Sequence, residues 1–258
     1  MQRKVTVRRA CSIVGISTAA IYEQPPPDKD AVLREKLREV WRPNMGYRMA
    51  HAMVKAEFAP LNVKRVHRLW KEEKLGRVKR YRKQRTGSTV PLCATKANEV
   101  WCLDFCHDSC LNGTKLKALA VIDEFTRECL ALEVATNFKS MRVQNVLSRL
   151  FAARGAPTYL RSDNGSEFIA RSLAVFLFQS GTSSRFIKPG SPWQNGHAES
   201  FMSRLRAECL DVEAFHNLAD AEVKLSIYRS FYNWHRPHSS LGYRPPSATM
   251  PSYAKDSF

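Results

Sequence analysis

The sequence predicts an α/β protein in which a small all-helical region precedes a mixed sheet flanked by helices. Three observations carry this reading. Hydrophobic spacing is helical up to about residue 75 and strand-like from about residue 96, where three apolar strands run in succession before helices and strands alternate. The 258 residues are 44% hydrophobic and 25% charged, a globular composition long enough for a sizeable core and a smaller unit beside it. Charge is unevenly spread: 41 Lys and Arg against 24 Asp and Glu give +17, and residues 1–100 hold 23 basic and 9 acidic side chains, net +14.

A positive charge of that size excludes an acidic, disordered solvator and calls for a polyanionic partner, nucleic acid first and an anionic membrane surface second. Apolar runs such as 118–122 and 174–178 are far short of the roughly 18 residues that cross a bilayer, so no membrane role is expected. The N-terminus lacks a sustained apolar core followed by a cleavage site, which argues against a secretory leader. Seven scattered Cys read as reduced thiols in the cytoplasm.

In chain order, residues 8–23 outline two short helices about a Gly15 turn, the second begun by Ser17; a helix-turn-helix and an ordinary αα-corner fit equally. Gln24-Pro25-Pro26-Pro27 is a stiff extended linker. Three helices then follow over 28–75, marked by Val32, Leu37, Val40 and Trp41, by Tyr47, Ala50, Met53 and Val54, and by Val63, Val66, Leu69 and Trp70 after Asn62 as N-cap. The last presents Lys64, Arg65, Arg68 and Lys71 on its other face, the plan of a helix that reads a DNA groove, though a merely structural three-helix cap has the same outline. Residues 64–85 carry 11 basic side chains, either a solvated surface helix with a basic tail or a nucleic-acid footprint; the bias of the whole front segment favours the footprint.

Beyond 96, Val100–Cys106, Lys117–Ile122 and Glu128–Val134 alternate as strands, the first two joined by the polar turn at Leu111-Asn112-Gly113-Thr114. A helix is expected at 139–154, a strand at Tyr159–Arg161, a helix at 167–179, a strand around Ser184–Ile187, and closing helices at 194–209 and 218–234.

Three carboxylates stand out. Asp104 lies mid-strand, sharing one face with Cys102 and Cys106 while Trp101, Leu103 and Phe105 fill the other; a charge there is costly unless something neutralises it. Asp163 ends a strand before Asn164-Gly165, and Glu199 lies on a helix after the loop Lys188-Pro189-Gly190-Ser191-Pro192. Between Asp163 and Glu199 lie 35 residues, and Arg206 follows Glu199 by seven, about two turns along one face. Cys102, Cys106, Cys110 and His107 lack the paired spacing of a zinc site. Asp108, Asp123 and Glu167 read either as exposed strand-end carboxylates or as groups supporting the three, and Tyr232 lacks the surroundings of a covalent nucleophile.

These residues resemble a known family. Trp101-Cys102-Leu103-Asp104, Ser162-Asp163-Asn164-Gly165-Ser166-Glu167-Phe168 and Gln194-Asn195-Gly196-His197-Ala198-Glu199-Ser200-Phe201 are similar to the motifs of bacterial insertion-sequence DDE transposases, the OrfB type of two-frame elements, relatives of retroviral integrases. The likeness continues in Asp123–Cys129, in Tyr232–Tyr243, in Gly46-Tyr47-Arg48 and in 63–66, covering roughly 8–246. Trp193, Met202 and Glu124 depart from the usual pattern but leave the three acids whole.

The resemblance implies a ribonuclease H-like five-stranded sheet and Mg²⁺-dependent DNA cleavage and strand transfer. Asp104 would bridge two Mg²⁺ ions (Mn²⁺ substituting), with Asp163 and Glu199 holding one each, while Arg206 and Lys188 contact DNA. It divides the chain into a partial helix-turn-helix segment (1–24), a three-helix DNA-binding domain (28–75), a basic linker (76–95), a catalytic core (96–236) and a tail (237–258). Expected partners are the element's DNA ends and target DNA, further copies of the chain and the product of an upstream frame fused by frameshifting, all at the bacterial nucleoid. Rival readings are a transposase-derived DNA binder that no longer cuts, and a phage or retroelement integrase.

Overall fold

The computed structural model describes residues 5–19, 28–76, 94–187 and 195–249. Helix α1 (Val7–Val14) ends at Gly15, whose φ of 72° is the left-handed cap that a side chain would oppose. Helical residues resume at Thr18; the remainder of that second helix lies outside the described residues, as does the proline linker.

Helices α2 (Ala31–Val40), α3 (Tyr47–Val54) and α4 (Val63–Glu72) pack around Leu33, Leu37, Ala50, Val54, Val66, Leu69 and Trp70. The Asn62 side chain accepts from the Lys64 amide at 2.8 Å, the cap that its type and place foretell.

The sheet comprises β1 (Val100–Ser109), β2 (Lys115–Asp123), β3 (Cys129–Ala135), β4 (Tyr159–Ser162) and β5 (Ser183–Phe186), in the order β3-β2-β1-β4-β5. The first three strands form an antiparallel meander, and β4 and β5 join parallel to β1. Gly113 makes the β1–β2 turn at φ 82°. Helices α5 (Ser140–Arg154) and α6 (Arg171–Gln179) enclose one face with Trp101, Leu103, Leu119 and Val121. Helices α7 (Gly196–Leu205) and α8 (Leu218–Trp234) enclose the other with Ala118, Ala120, Ile122, Phe201 and Tyr232.

Two elements differ from the sequence expectation. The helix expected from 167 starts at Arg171, because Phe168 and Ile169 close a turn onto the Gly165 carbonyl. The helix expected over 194–209 is α-helical only to Leu205 and continues as a π turn, Arg206–Leu210. In that turn Glu208 meets Arg236 through two bonds of 2.7 and 2.6 Å, both side chains about 5% exposed. Residues 237–249, expected as a tail, fold back on the core: His238 packs edge-on to Tyr232, and Thr249 Oγ1 donates to the Thr126 carbonyl. Among the described residues, no helix is long and apolar enough to cross a membrane.

Candidate active site

The pleat of β1 sends Phe105 into the α5–α6 core and Cys102 and Cys106 toward α7 and α8, so Asp104 takes the α7 face. Strand β4 runs parallel to β1 with Arg161 opposite Cys102. Asp104 lies two residues further along β1 and Asp163 two residues beyond Arg161, close enough for the charge of Asp163 to act on the Asp104 carboxyl. Asp163 lies just past the paired end of β4. Its Oδ1 accepts the Gly165 amide at 3.0 Å, and a Cβ at Gly165 would lie 3.1 Å from that oxygen, so any larger residue there would have to push the Asp163 carboxylate aside by a few tenths of an ångström.

Glu199 is brought over the same face by α7. Asn195, 3% exposed, donates from Nδ2 to the Leu103 carbonyl at 3.2 Å and pins the start of α7 beside Asp104. Ala198 packs with Val100 and Cys102, while Phe201 and Leu205 bury the underside, leaving Glu199 half-buried in the first turn, where the helix dipole favours a carboxylate.

The electrostatics fit a cation-seeking site. Burial pushes the Asp104 carboxyl up to about 6, the Phe105 amide bond opposes this, and the negative charges of Asp163 and Glu199 add to it. Among the described residues, no three His, Cys, Asp or Glu side chains are gathered tightly enough to form a ready-made metal site. The donor set nonetheless suits a hard divalent ion: three carboxylates with oxygen ligands, two of which oppose the ionisation of the third.

A buried polar layer lies behind the acids. Glu124 pairs with Arg161 at 2.6 Å, both under 10% exposed, and accepts from Cys102 Sγ. His197, lowered to about 4 by burial and by Arg127, Arg161 and Arg204, takes Arg127 Nη1 at 2.8 Å on Nε2.

The other residues singled out in the sequence separate into three places. Arg206 opens the π turn, half-exposed, donating to the His107 carbonyl at 2.8 Å three residues beyond Asp104. Lys64, Arg65, Arg68 and Lys71 form the exposed face of α4, in the helical unit. Arg65 Nε and Arg68 Nη2 hold Asp30 at 2.7 and 2.5 Å, so part of that face is already neutralised. Lys188 lies outside the described residues. The Asn195 anchor was missed in the sequence; its signal was its position one helical turn before Glu199. Asp30 left no signal, since its partners stand 35 and 38 residues away.

Comparison with known proteins follows the same division. Two integrase core domain models match residues 94–192 and 180–246, and an HTH-like domain model matches 27–85. The chain is 37% identical over 250 residues to the insertion element IS407 31.7 kDa protein of Burkholderia multivorans, covering 94% of this chain and 90% of that protein. It is 28% identical to transposase InsD of insertion element IS2 from Escherichia coli, over 79% of this chain and 72% of InsD. Among solved structures, a chain of the simian T-cell lymphotropic virus intasome, determined by cryo-EM in complex with a PP2A regulatory subunit, superposes with a TM-score of 0.54 at 12% identity. The match covers 80% of this chain and 76% of that one, a likeness of fold that is ribonuclease H-like.

Proposed function

The chain belongs to the insertion-element transposases with an integrase core, DDE-type polynucleotidyl transferases, and from that membership we propose that Asp104, Asp163 and Glu199 are its catalytic metal ligands. The observation that supports the assignment is that Asn195 at the start of α7 bonds the Leu103 carbonyl next to Asp104. The raised Asp104 carboxyl, caused first by burial and then by the charges of Asp163 and Glu199, agrees with it, although the three acids come from β1, the end of β4 and α7.

In this reading Asp104, on the central strand, would hold two Mg²⁺ ions together with Asp163 and Glu199, and Mn²⁺ would be able to replace Mg²⁺. When bound, the ions stabilise charge on the attacking and leaving oxygens of an in-line displacement at phosphorus. The residues of the chain fix the geometry: β1 carries Asp104, the turn that follows β4 carries Asp163, and the Asn195 bond sets the height of α7. No side-chain nucleophile is required, since water attacks in cleavage and the freed 3′-OH attacks in joining. Arg206, beside the end of β1, and Lys188 contact the DNA strand, and Lys64, Arg65, Arg68 and Lys71 contact phosphates of the element's ends. An element has two ends to cut and join, so the chain works as a homo-oligomer on DNA in the bacterial cytoplasm, alone or fused to an upstream-frame product.

Replacing Glu199 by Gln tests the assignment. Mg²⁺-dependent cleavage and joining of a duplex carrying the element's end should fall by orders of magnitude, because several kcal/mol of transition-state stabilisation is lost. DNA affinity in a gel-shift assay should hold or rise slightly. Equal activity of wild type and E199Q would remove Glu199 from the site. An inactive wild type, even when fused to its upstream frame, would favour a DNA binder that no longer cuts.

A further inference from the structure

Asp163 stands where the β4 ladder has run out, so strand pairing does not hold its side chain in place. The loop that follows is fixed at its near end by Asn164, whose Nδ2 donates to the Ile187 carbonyl at 2.9 Å. Its far end is fixed from the opposite face of the sheet. Lys117, on β2 and paired across the ladder with His107, is only 16% exposed in a chain with many solvated lysines. Its ammonium sits 4.1 Å from the centre of the Phe105 ring and ends on Glu167 Oε1 at 2.5 Å. Glu167 Oε2 takes the Ser166 hydroxyl, and Phe168 stacks on Phe105 at 4.9 Å with planes 13° apart. Phe105 is also the residue whose amide binds Asp104 Oδ1.

We infer that Lys117 and Glu167 are a positioning pair that sets the spacing of Asp104 and Asp163 from behind the sheet. This rests on the assignment of those two acids as ligands. Lys117 grips β1 through the ring next to Asp104 and grips the Asp163 loop through Glu167. The Phe105–Phe168 stack lies alongside and closes the same span. Two carboxylates that repel each other separate when their backbones are free, so a link between the backbones holds them ready for a shared cation. Groups that orient metal ligands in this way typically cost 10–100-fold in metal affinity when removed.

The test uses the full chain and Mn²⁺ alone, titrated by the EPR signal of the free ion, with thermal melting in EDTA alongside. K117M keeps the alkyl stem over Phe105 and loses the charge; E167Q keeps size; K117R keeps both the ring contact and the charge. K117M and E167Q should each raise the Mn²⁺ concentration at half-saturation about tenfold, K117R should bind as wild type, and the metal-free melting temperatures should stay close together. D163N is measured in parallel and should abolish binding. Were D163N to lose Mn²⁺ while K117M and E167Q bound it normally, the positioning role would fall and the ligand assignment would stand. Were D163N to bind like wild type, the ligand assignment would fall and take the pair with it. A metal affinity that only followed the melting temperature, or that K117R failed to restore, would reduce the pair to ordinary packing.

Discussion

Asp104 illustrates how a site residue is made costly by its surroundings. Its carboxyl is raised from 3.8 to about 6, first by burial and then by Asp163 and Glu199. The folded state therefore binds the proton more tightly than the unfolded chain does. The penalty is absent below about pH 4 and complete above about pH 6, where it reaches about 3 kcal/mol. D104N should then melt at a higher temperature than wild type at pH 7.5 in EDTA, and the two should converge near pH 4. A gap of the same size at both pH values would refute this account. Several neighbours in the family motifs do quieter work. Asp123, one of the acids that read either as an exposed strand end or as support for the three, is a turn anchor that accepts the amides of Asn98, Phe125 and Thr126, and Glu128 pairs with Arg154 in the core.

At the scale of elements, α4 carries the electrostatic argument. Lys64 and Lys71 face solvent, while Arg65 and Arg68 share Asp30. If all four meet phosphate, replacing Arg65 and Arg68 by Ala should lower the slope of log affinity against log salt by about 2, one unit per lost contact. An unchanged slope would leave the arginines to their ion pairs with Asp30. What the sequence disclosed of the elements follows from periodicity. The alternation of Trp101, Leu103 and Phe105 against Cys102, Asp104 and Cys106 announced β1 and the face of its acid, because a strand's two faces are written in adjacent residues. The π turn at Arg206–Leu210 carried no such mark, since it arises where Glu208 turns inward to Arg236, 28 residues later. The late start of α6, where the Phe168 and Ile169 amides close a turn on the Gly165 carbonyl, carried no periodic mark either. The three acids proposed as ligands stand out through motif spacing. Asn195 and Lys117 beside them, and Asp30 beneath α4, act through partners distant in the chain, and periodicity does not mark them.

Across the whole molecule, the segment after α8 completes the core. Glu208 and Arg236 are both about 5% exposed, so removing one strands the other as a buried charge. E208A should cost about 3–5 kcal/mol and lower the melting temperature markedly, whereas exchanging both for well-packed apolar residues should cost far less. A small shift for E208A would mean that water reaches the pair. The fold-back of His238 and Thr249 onto Tyr232 and Thr126 has a consequence for how the protein is born. On the ribosome, the helices of residues 28–76 can settle early, because their core draws only on residues within that stretch. The catalytic sheet must wait for Arg236 and the residues beyond it. A product terminated just before Arg236 would thus carry the basic face of α4 and all three acids, yet leave Glu208 without its cation. If that face grips DNA and the acids cut it as proposed, such a fragment would occupy the element's ends without cutting them, and would act in the cell as a competitor of the intact protein.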